Sequence, residues 1–206
     1  MILGLGSGRA VWRVIELIGE RWPGGRPPIR SAFASEATRE RAAEVGIEPV
    51  ELDGTVRLEL AIDGADEVDP QLDLIKGGGA ALLREKIVVT AAERFLVVAE
   101  SRKRVERLGS TFKLPVEVVR FGWRDTRRRL LDLVPSADLR VEDDAPKVTD
   151  EAHYLLDCKL PAEGDLRALG EALKATVGVV EHGLFIGLAS EALLGTPQGD
   201  VEVVTA

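Results

Sequence analysis

Short apolar runs alternate with helix-like segments through the N-terminal half of the chain, and this alternation restricts the possible fold more than any other feature. Strands are predicted at residues 29–34, 58–62 and 95–99, after an opening strand that ends near residue 3. The run 95–99 is apolar at every position, which is typical of a parallel strand buried on both faces. Strands and helices in alternation predict a mostly parallel sheet with helices on both faces, an α/β fold of the Rossmann-like kind.

Three helices are predicted to connect these strands. The second and third cover residues 36–45 and 80–92. The first ends before the Pro-Gly-Gly turn at 23–25 and has apolar residues at helical spacing, so it covers the sheet with one face. These apolar residues are Val11, Val14, Ile15 and Ile18.

The pattern changes near residue 114, where the order becomes β-α-β-β-α-β. This order suits a small α+β unit of the ferredoxin-like kind. The apolar segments 183–187 and 201–204 are expected to rejoin the first sheet. We therefore predict a Rossmann-like catalytic domain at 1–113 plus 183–206 and a small α+β domain at 114–182. The predicted elements of the small domain are strands at 116–119, 139–141, 154–158 and 179–180, with helices at 125–133 and 165–175.

The charge balance argues against nucleic acid as the main partner. Lysine and arginine number 27 against 35 aspartate and glutamate residues, a formal net charge of −8. The basic cluster Arg127-Arg128-Arg129 is expected to be a solvated helix face rather than a binding patch. No apolar run approaches the roughly 20 residues that a membrane helix needs. The N-terminus shows no signal-peptide pattern, so we expect a cytoplasmic protein without a membrane partner.

Metal chemistry is not expected from the available ligands. Cys158 is the single cysteine, which excludes an internal disulfide, and its apolar surroundings indicate a buried small side chain. His153 and His182 are the two histidines, and they are too isolated for metal-ligand spacing. The sequence therefore predicts chemistry without a metal or a redox cofactor.

A glycine-rich segment, Gly4-Leu5-Gly6-Ser7-Gly8-Arg9, connects the opening strand to the first helix. Glycines at such a junction let backbone N–H groups face a ligand, and a helix N-terminus favours an anion there. Ser7 adds a hydroxyl donor and Arg9 adds a guanidinium suited to phosphate. The dinucleotide fingerprint requires glycine where Arg9 stands, so phosphate is favoured over a nicotinamide cofactor. A plain tight turn explains the glycines alone equally well.

Two carboxylates, Asp63 and Asp66, flank Gly64 and Ala65 directly after the predicted strand 58–62. Groups at the carboxyl ends of strands lie where open α/β sheets bind their ligands. A carboxylate pair can move protons between neighbouring hydroxyls when its two pKa values differ. Aspartates are also common in turns and helix caps, and that interpretation is favoured for the pair taken alone.

Glu85 favours the catalytic interpretation of the two aspartates over a turn or helix cap. Helical spacing places it among the apolar, core-facing residues of the segment 80–92. A carboxylate there is costly unless it is paired or used, and desolvation raises its pKa toward that of a working base. Lys76 precedes three glycines and offers an ammonium that can stabilise an oxyanion beside the aspartates. A salt bridge between Glu85 and Lys76 is the structural alternative, but the four charged groups together favour catalysis.

Lys103, just past the strand 95–99, is either a further phosphate ligand or a solvated charge in a basic run. Together these parts comprise a phosphate cradle, an oxyanion-stabilising amine, a buried base and carboxylates that handle hydroxyl groups. Such a set suits proton transfer next to a carbonyl of a phosphorylated small molecule, through an enediolate.

At this point the chain closely resembles the ribose-5-phosphate isomerase A family, and the resemblance extends over nearly its whole length. The central segments are long and specific, far beyond a lone glycine motif. The family consists of a Rossmann-like domain plus a small α+β domain. The segments that resemble the family are 63–67, 74–87, the glycine-rich opening, and more weakly 114–118 and 178–185.

The resemblance implies a reaction and a set of roles. The family interconverts ribose 5-phosphate and ribulose 5-phosphate in the non-oxidative pentose phosphate pathway, without metal or cofactor, as homodimers or homotetramers. By resemblance, Glu85 moves the proton between C1 and C2. Asp63 and Asp66 contact sugar hydroxyls and assist ring opening, and Lys76 helps to hold the substrate oxygens. The positions implied to bind the substrate are Ser7, Gly8, Arg9, Ala10, Gly64, Ala65, Gly77, Gly78, Gly79 and Lys103.

The chain departs from the family in its phosphate loop. Members usually read Thr-Gly-Ser-Thr, whereas this chain has Ser7-Gly8-Arg9-Ala10, so two hydroxyl donors give way to a guanidinium. We expect Arg9 to take over phosphate binding. Members also carry a helix before the first strand, and this sequence begins at that strand.

Other functions compete with the isomerase prediction. A non-catalytic sugar-phosphate sensor is the strongest rival from another class, although a sensor has no need of Glu85 beside Asp63, Asp66 and Lys76. CoA-transferase-like and amino-sugar isomerase enzymes are nearer in fold. A nicotinamide-dependent oxidoreductase is the weakest, since Arg9 breaks its fingerprint.

Overall fold

The computed structural model describes residues 1–24 and 26–205; Gly25, in the turn predicted after the first helix, and Ala206, at the end of the predicted first domain, lie outside the described residues. No helix among the described residues is both long enough and apolar enough to cross a membrane. The helices are α1 (Arg9–Arg21), α2 (Glu36–Glu44), α3 (Leu82–Thr90), α4 (Trp123–Leu130) and α5 (Leu166–Ala175). The strands are β1 (Ile2–Leu5), β2 (Arg30–Phe33), β3 (Glu48–Pro49), β4 (Leu60–Asp63), β5 (Glu67–Val68), β6 (Leu74–Ile75), β7 (Phe95–Glu100), β8 (Leu114–Val118), β9 (Ser136–Leu139), β10 (Val141–Glu142), β11 (Ala145–Pro146), β12 (Tyr154–Lys159), β13 (Val179–His182), β14 (Leu184–Phe185), β15 (Glu191–Gly195) and β16 (Val201–Thr205).

The central sheet has seven strands in the order β16-β15-β7-β4-β1-β2-β3. Neighbouring strands are parallel except for the antiparallel pair β15 and β16 at one edge. The mostly parallel sheet predicted from the sequence is therefore confirmed. Its carboxyl-terminal edge brings the ends of β1, β4 and β7 together, which is where a ligand site is expected in such a sheet.

Successive residues of the central strands face different helices. Ala61 packs in one apolar cluster with Val88 of α3, whereas Ile62 packs in another with Val11 and Ile15 of α1. Side chains alternate along a strand, so a strand covered by helices on both faces is apolar at consecutive positions. This explains why the central strands read as continuous apolar runs.

A second sheet contains four antiparallel strands in the order β13-β8-β12-β9, with α4 and α5 as its helices. This is the predicted β-α-β-β-α-β arrangement, interrupted by the short hairpin of β10 and β11. Its core includes Leu114, Leu130, Leu156 and Leu173, each fully buried. The second sheet falls within residues 114–182, and the division of the chain into two domains stays a prediction.

The segment 183–187 does not rejoin the central sheet, contrary to the prediction. Its strand β14 pairs with β6 in a separate three-stranded sheet of order β14-β6-β5. Leu74 and Phe185 enter the core of the central sheet, while Ile75 and Leu184 enter the core of the second sheet. Neighbouring residues of these short strands enter alternate cores. The segment 183–187 is therefore apolar because it lies between the two larger sheets, not because it belongs to either of them.

Other bounds also differ from the predictions. Strand β15 was missed, because its Glu-Ala-Leu-Leu composition favours a helix, and parallel pairing with β7 overrides that preference. The predicted strand 139–141 is split, since β9 ends at Leu139 and β10 begins at Val141. The glycines after Lys76 do not open a helix directly: a turn closed by Ala80 N–H to Gly77 O precedes α3.

Candidate active site

Asp63 is the last residue of β4 and is completely buried. The glycine-rich loop passes beside it, because Gly6 N–H donates to Ile62 O at 2.9 Å. A Cβ at Gly6 would lie 1.9 Å from Asp63 Cγ, so only glycine permits this approach. Asp63 Oδ1 accepts N–H hydrogen bonds from Ser7 (3.1 Å) and Gly64 (2.7 Å). Asp63 is therefore held against the loop that is predicted to bind phosphate.

Lys76 lies between two buried carboxylates. Its Nζ is 2.8 Å from Asp63 Oδ2 and 3.4 Å from Glu85 Oε2, and it donates to Gly64 O at 2.7 Å. Its backbone is fixed by a 2.9 Å hydrogen bond from Lys76 N–H to Gly183 O. Gly183 directly precedes β14, so the pairing of β14 with β6 places the carbonyl that holds the backbone of Lys76.

Glu85 lies in the first turn of α3 and is only 3% exposed. Its Oε2 contacts the Lys76 ammonium without hydrogen-bond geometry and receives no hydrogen bond from the described residues. Burial and, to a smaller extent, the charges of Asp63 and Asp66 raise the pKa of Glu85 to about 8 against the opposing effect of Lys76. A carboxylate with this pKa can both accept and return a proton near neutral pH.

Opposing effects also determine the charge state of the other two groups. Burial alone would lower the pKa of Lys76, but the carboxylates of Asp63 and Glu85 outweigh it, so the pKa is raised and the ammonium is retained. Burial raises the pKa of Asp63, although Lys76 and the two N–H donors oppose the rise. The Phe185 ring lies 5.6 Å from the ammonium and excludes water on that side. The buried cluster therefore keeps the Lys76 ammonium charged, while burial favours the protonated forms of Asp63 and Glu85.

Asp66 is more open than Asp63 and faces the other end of the loop. Its Oδ2 accepts the Gly78 N–H at 2.7 Å, and its Oδ1 lies 3.9 Å from Lys103 Nζ. A Cβ at Gly78 would lie 2.6 Å from Asp66 Oδ1, which explains the glycine at this position. Lys103 therefore lies beside the cluster, as its sequence position suggested, and Asp66 connects it to the glycines that follow Lys76.

The predicted phosphate loop surrounds the start of α1, whose N-cap is Gly8. Ser7 Oγ donates to Ser35 Oγ at 3.0 Å, and Arg9 is exposed at the rim. An anion here would meet the free N–H groups of the first turn of α1. A Cβ at Gly64 would lie 3.7 Å from the Cβ of Ala10, so the segment after β4 lies against the predicted phosphate loop that follows β1.

The rim beside this loop is basic. A hydrogen bond from Arg102 lowers the pKa of the exposed Glu100 carboxyl, and the charges of Arg9 and Lys103 lower it further. Three cations therefore lie within electrostatic reach of one carboxylate at the end of β7. Such a rim raises the local concentration of an anionic ligand.

Sequence reasoning missed Ser35 and Arg140. Ser35 is the N-cap of α2 and accepts from Thr38 N–H, a signal that a Ser-x-x-Thr pattern offers before a helix. Arg140 donates to the carbonyls of Gly77 and Gly78, which precede it by more than sixty positions, and no local pattern indicates this. Within the described residues no group of three or more His, Cys, Asp or Glu side chains is arranged to hold a metal ion.

Comparison with known sequences agrees with this geometry. The sequence model of the family described as Ribose 5-phosphate isomerase A (phosphoriboisomerase A) matches residues 32–199. A protein named Ribose-5-phosphate isomerase A from Synechococcus sp. (strain JA-3-3Ab) is 44% identical over 201 residues, which cover 97% of this chain and 87% of that protein.

Solved structures agree as well. Ribose 5-phosphate isomerase from Plasmodium falciparum matches with a TM-score of 0.94 and 30% identity, covering 100% of this chain and 91% of its own. A D-ribose-5-phosphate isomerase solved in complex with phospho-erythronic acid matches with a TM-score of 0.92 and 35% identity, over the same shares of the two chains. Fold and sequence likeness therefore extend over the whole of the site described above.

Proposed function

This chain belongs to the ribose 5-phosphate isomerase A family, and from that premise we propose how its residues perform the reaction. It is an aldose–ketose isomerase that interconverts D-ribose 5-phosphate and D-ribulose 5-phosphate in the non-oxidative pentose phosphate pathway. The observation that carries the proposed roles is the Lys76 ammonium between two buried carboxylates, one of which is Glu85 with an unpartnered oxygen.

Glu85 is the base. In the open-chain aldose it removes the proton from C2, and the electron pair moves through the C1–C2 bond to leave an enediolate with its charge on O1. Glu85 then returns the same proton to C1 while the O2 hydroxyl proton passes to O1, which gives the C2 ketone. No atom or electron is gained or lost. With a pKa of about 8, Glu85 exchanges between its ionised and protonated forms near physiological pH, so one side chain can take the proton and return it.

Lys76 stabilises the charge that forms on the enediolate. Its ammonium is already held by Asp63 Oδ2 and Gly64 O, so no reorganisation is needed when O1 becomes negative. Gly77, Gly78 and Gly79 hold the substrate oxygens beside it. Their small size lets the backbone approach the sugar, and the carboxylates keep Lys76 protonated throughout.

Asp63 and Asp66 handle the sugar hydroxyls and assist ring opening. Asp63 is buried, and burial raises its pKa, so it can carry the proton that the ring oxygen needs. Asp66 is partly open and lies between Gly78 and Lys103, at the entrance to the cluster. The two aspartates therefore differ in environment, which is what proton exchange between neighbouring oxygens requires.

The phosphate end of the substrate is bound by the loop at the start of α1. Ser7, Gly8 and Ala10 offer a hydroxyl and backbone N–H groups, and Arg9 with Lys103 offers positive charge. In this chain Arg9 replaces the hydroxyl donors of the family's loop. Sugar phosphate is thus held at one end by charge and at the other by carboxylates.

Three further predictions accompany these roles. The chain divides into a catalytic domain at 1–113 plus 183–206 and a small domain at 114–182. It assembles as a homodimer or homotetramer without a nucleic-acid partner. It works in the cytoplasm. Limited proteolysis, light scattering and fractionation test these in turn.

The decisive experiment measures conversion of ribose 5-phosphate to ketopentose by the wild type and by Glu85→Gln. We expect turnover in the wild type and a fall in kcat of about 10³-fold in the variant, because an amide cannot accept the proton. Turnover retained in Glu85→Gln removes the assigned base. No turnover in a folded wild type contradicts the assigned reaction itself.

A further inference from the structure

Arg140 reaches from the second sheet to the loop of the active site. It lies between β9 and β10, and its backbone is fixed on both sides by Arg140 N–H to Leu155 O and Lys147 N–H to Arg140 O, each 2.9 Å. Its side chain is largely buried and runs toward the glycines that follow Lys76. No sequence motif brings these two segments together.

The guanidinium holds two consecutive peptide groups. Nη1 donates to Gly77 O at 2.8 Å and to Gly78 O at 3.2 Å. Asp157 on β12 receives the other edge of the guanidinium, with Nε donating to Oδ2 at 3.0 Å and Nη2 donating to Oδ1. A paired carboxylate of this kind fixes the plane of the guanidinium, so the remaining edge points at the loop in one orientation.

These two peptide groups carry the N–H donors of the glycine loop. The carbonyl of Gly77 is conjugated with the N–H of Gly78, which donates to Asp66 at 2.7 Å. The carbonyl of Gly78 is conjugated with the N–H of Gly79, which donates to no other described residue. Hydrogen bonds in a chain polarise one another, so a cation on each carbonyl strengthens the donor at the other end of the peptide.

We propose that Arg140, oriented by Asp157, is a positioning residue for the isomerase reaction: it fixes the glycine loop so that Gly78 N–H holds Asp66 and Gly79 N–H faces the enediolate oxygen. This inference rests on the proposed function of the loop glycines. It makes the second sheet part of the catalytic apparatus, because a segment about sixty residues further along the chain determines the direction of two donors.

The position of the charge explains why arginine is needed. A lysine has a single ammonium, which cannot donate to both carbonyls and also to the two carboxylate oxygens of Asp157. At the phosphate end, Lys103 meets this arrangement only through Asp66, 3.9 Å from its Nζ, and Ser7 has no hydrogen bond to it among the described residues. Loss of Arg140 is therefore expected to affect turnover more than substrate binding, since a misplacement of about 1 Å can cost about 10²-fold in rate.

The test compares steady-state kinetics of the wild type, Arg140→Ala, Arg140→Lys and Asp157→Asn with ribose 5-phosphate. We expect kcat to fall about 10²-fold in Arg140→Ala with KM changed less than about threefold. Arg140→Lys and Asp157→Asn should lie between it and the wild type. Lys113→Met is the matched control, because Lys113 pairs with Asp138 in the same sheet at 2.9 Å and has no contact with the loop.

Chemical rescue separates positioning from a merely structural role. Millimolar guanidinium or methylguanidinium, added to Arg140→Ala, should restore part of kcat and leave Lys113→Met unchanged. A stabilising role alone predicts lower thermal stability with normal kcat for the folded fraction, and that result overturns the proposal. So does a folded Arg140→Ala with kcat within threefold of wild type, or no rescue by either compound. If the wild type itself is inactive, the assigned reaction fails instead.

Discussion

Glu67 and Glu85 are both buried glutamates of the same site region, yet their surroundings differ completely. Glu67 is fully buried and accepts hydrogen bonds from the backbone N–H groups of Gly109 (2.5 Å), Thr111 (2.5 Å) and Phe112 (2.8 Å) and from the Thr111 hydroxyl (2.7 Å). Glu85 is equally inaccessible, but its Oε2 receives no hydrogen bond. One carboxylate is saturated with donors and the other lacks them.

This difference shows that a buried carboxylate can either stabilise the structure or be available for chemistry. Donors compensate the desolvation of Glu67, so its charge organises the loop 109–112 against β5. Glu85 is desolvated without that compensation, so its pKa rises to about 8 and its proton becomes exchangeable. The ammonium of Lys76 reduces the cost of burying Glu85 but does not cancel the rise in its pKa.

An unpartnered oxygen is not sufficient by itself. Glu117 in the second sheet also has an Oε2 without a donor among the described residues. Its Oε1, however, is 2.9 Å from both the Thr149 hydroxyl and His153 Nδ1. Among the described residues no ammonium pairs with Glu117 as Lys76 pairs with Glu85. What distinguishes Glu85 is therefore the cation beside it and its place next to the strand-end carboxylate Asp63, in addition to the missing donor.

The largest effect is expected when each of the two carboxylates is replaced by an amide. Glu67→Gln should lower the free energy of unfolding by about 3 kcal/mol, because its amide places N–H groups against N–H donors. Its kcat per folded molecule should stay within about threefold of wild type. Glu85→Gln should lose turnover without losing stability, since an uncompensated buried charge is removed. Chemical denaturation and kinetics on the same samples measure both, and a destabilised Glu85→Gln would break the comparison.

The pH dependence of stability should show the same contrast. The pKa of Glu85 is raised from its ordinary 4.5 to about 8 on folding, so between these values the folded state binds more protons than the unfolded state. Its contribution to stability is fully present below about pH 4.5 and is lost as the pH rises through about 8, with a slope of at most about 1.4 kcal/mol per pH unit between these values. The difference in unfolding free energy between wild type and Glu85→Gln should follow this slope.

Activity should depend on pH in the opposite direction. If the ionised form of Glu85 is the base, as we propose, kcat/KM should increase with pH up to about 8 and then level off. Activity and stability thus favour opposite protonation states of one side chain. A flat difference between wild type and Glu85→Gln in the stability measurement would show that the carboxylate titrates at an ordinary pKa and would refute this explanation.

The smallest effect is expected for Arg9, at the exposed end of the site. Arg9→Ala should raise KM for ribose 5-phosphate about tenfold and leave kcat within about twofold, because the proposed role of the guanidinium is confined to the phosphate. Arg102→Ala is the matched control, as Arg102 lies on the same rim and is paired with Glu100. An unchanged KM in Arg9→Ala would remove Arg9 from the phosphate site.

Much of this protein could be predicted from sequence because its signals are local. Alternation of strands and helices indicated the parallel sheet, and the helical position of Glu85 among apolar residues indicated its burial. Asp63 was predicted to follow directly after the strand 58–62, and it is the last residue of β4 (Leu60–Asp63). Each of these depends on periodicity over a few residues, which the chain fixes before it packs.

Tertiary structure alone decided the contacts between distant segments. The sequence contains Lys76, but only packing places its ammonium 2.8 Å from Asp63 and 3.4 Å from Glu85. The same holds for β14, which was predicted in the wrong sheet, and for Arg140, whose loop contacts were not predicted at all. A pKa near 8 for Glu85 results from desolvation by the whole fold, and desolvation has no signature in a single segment.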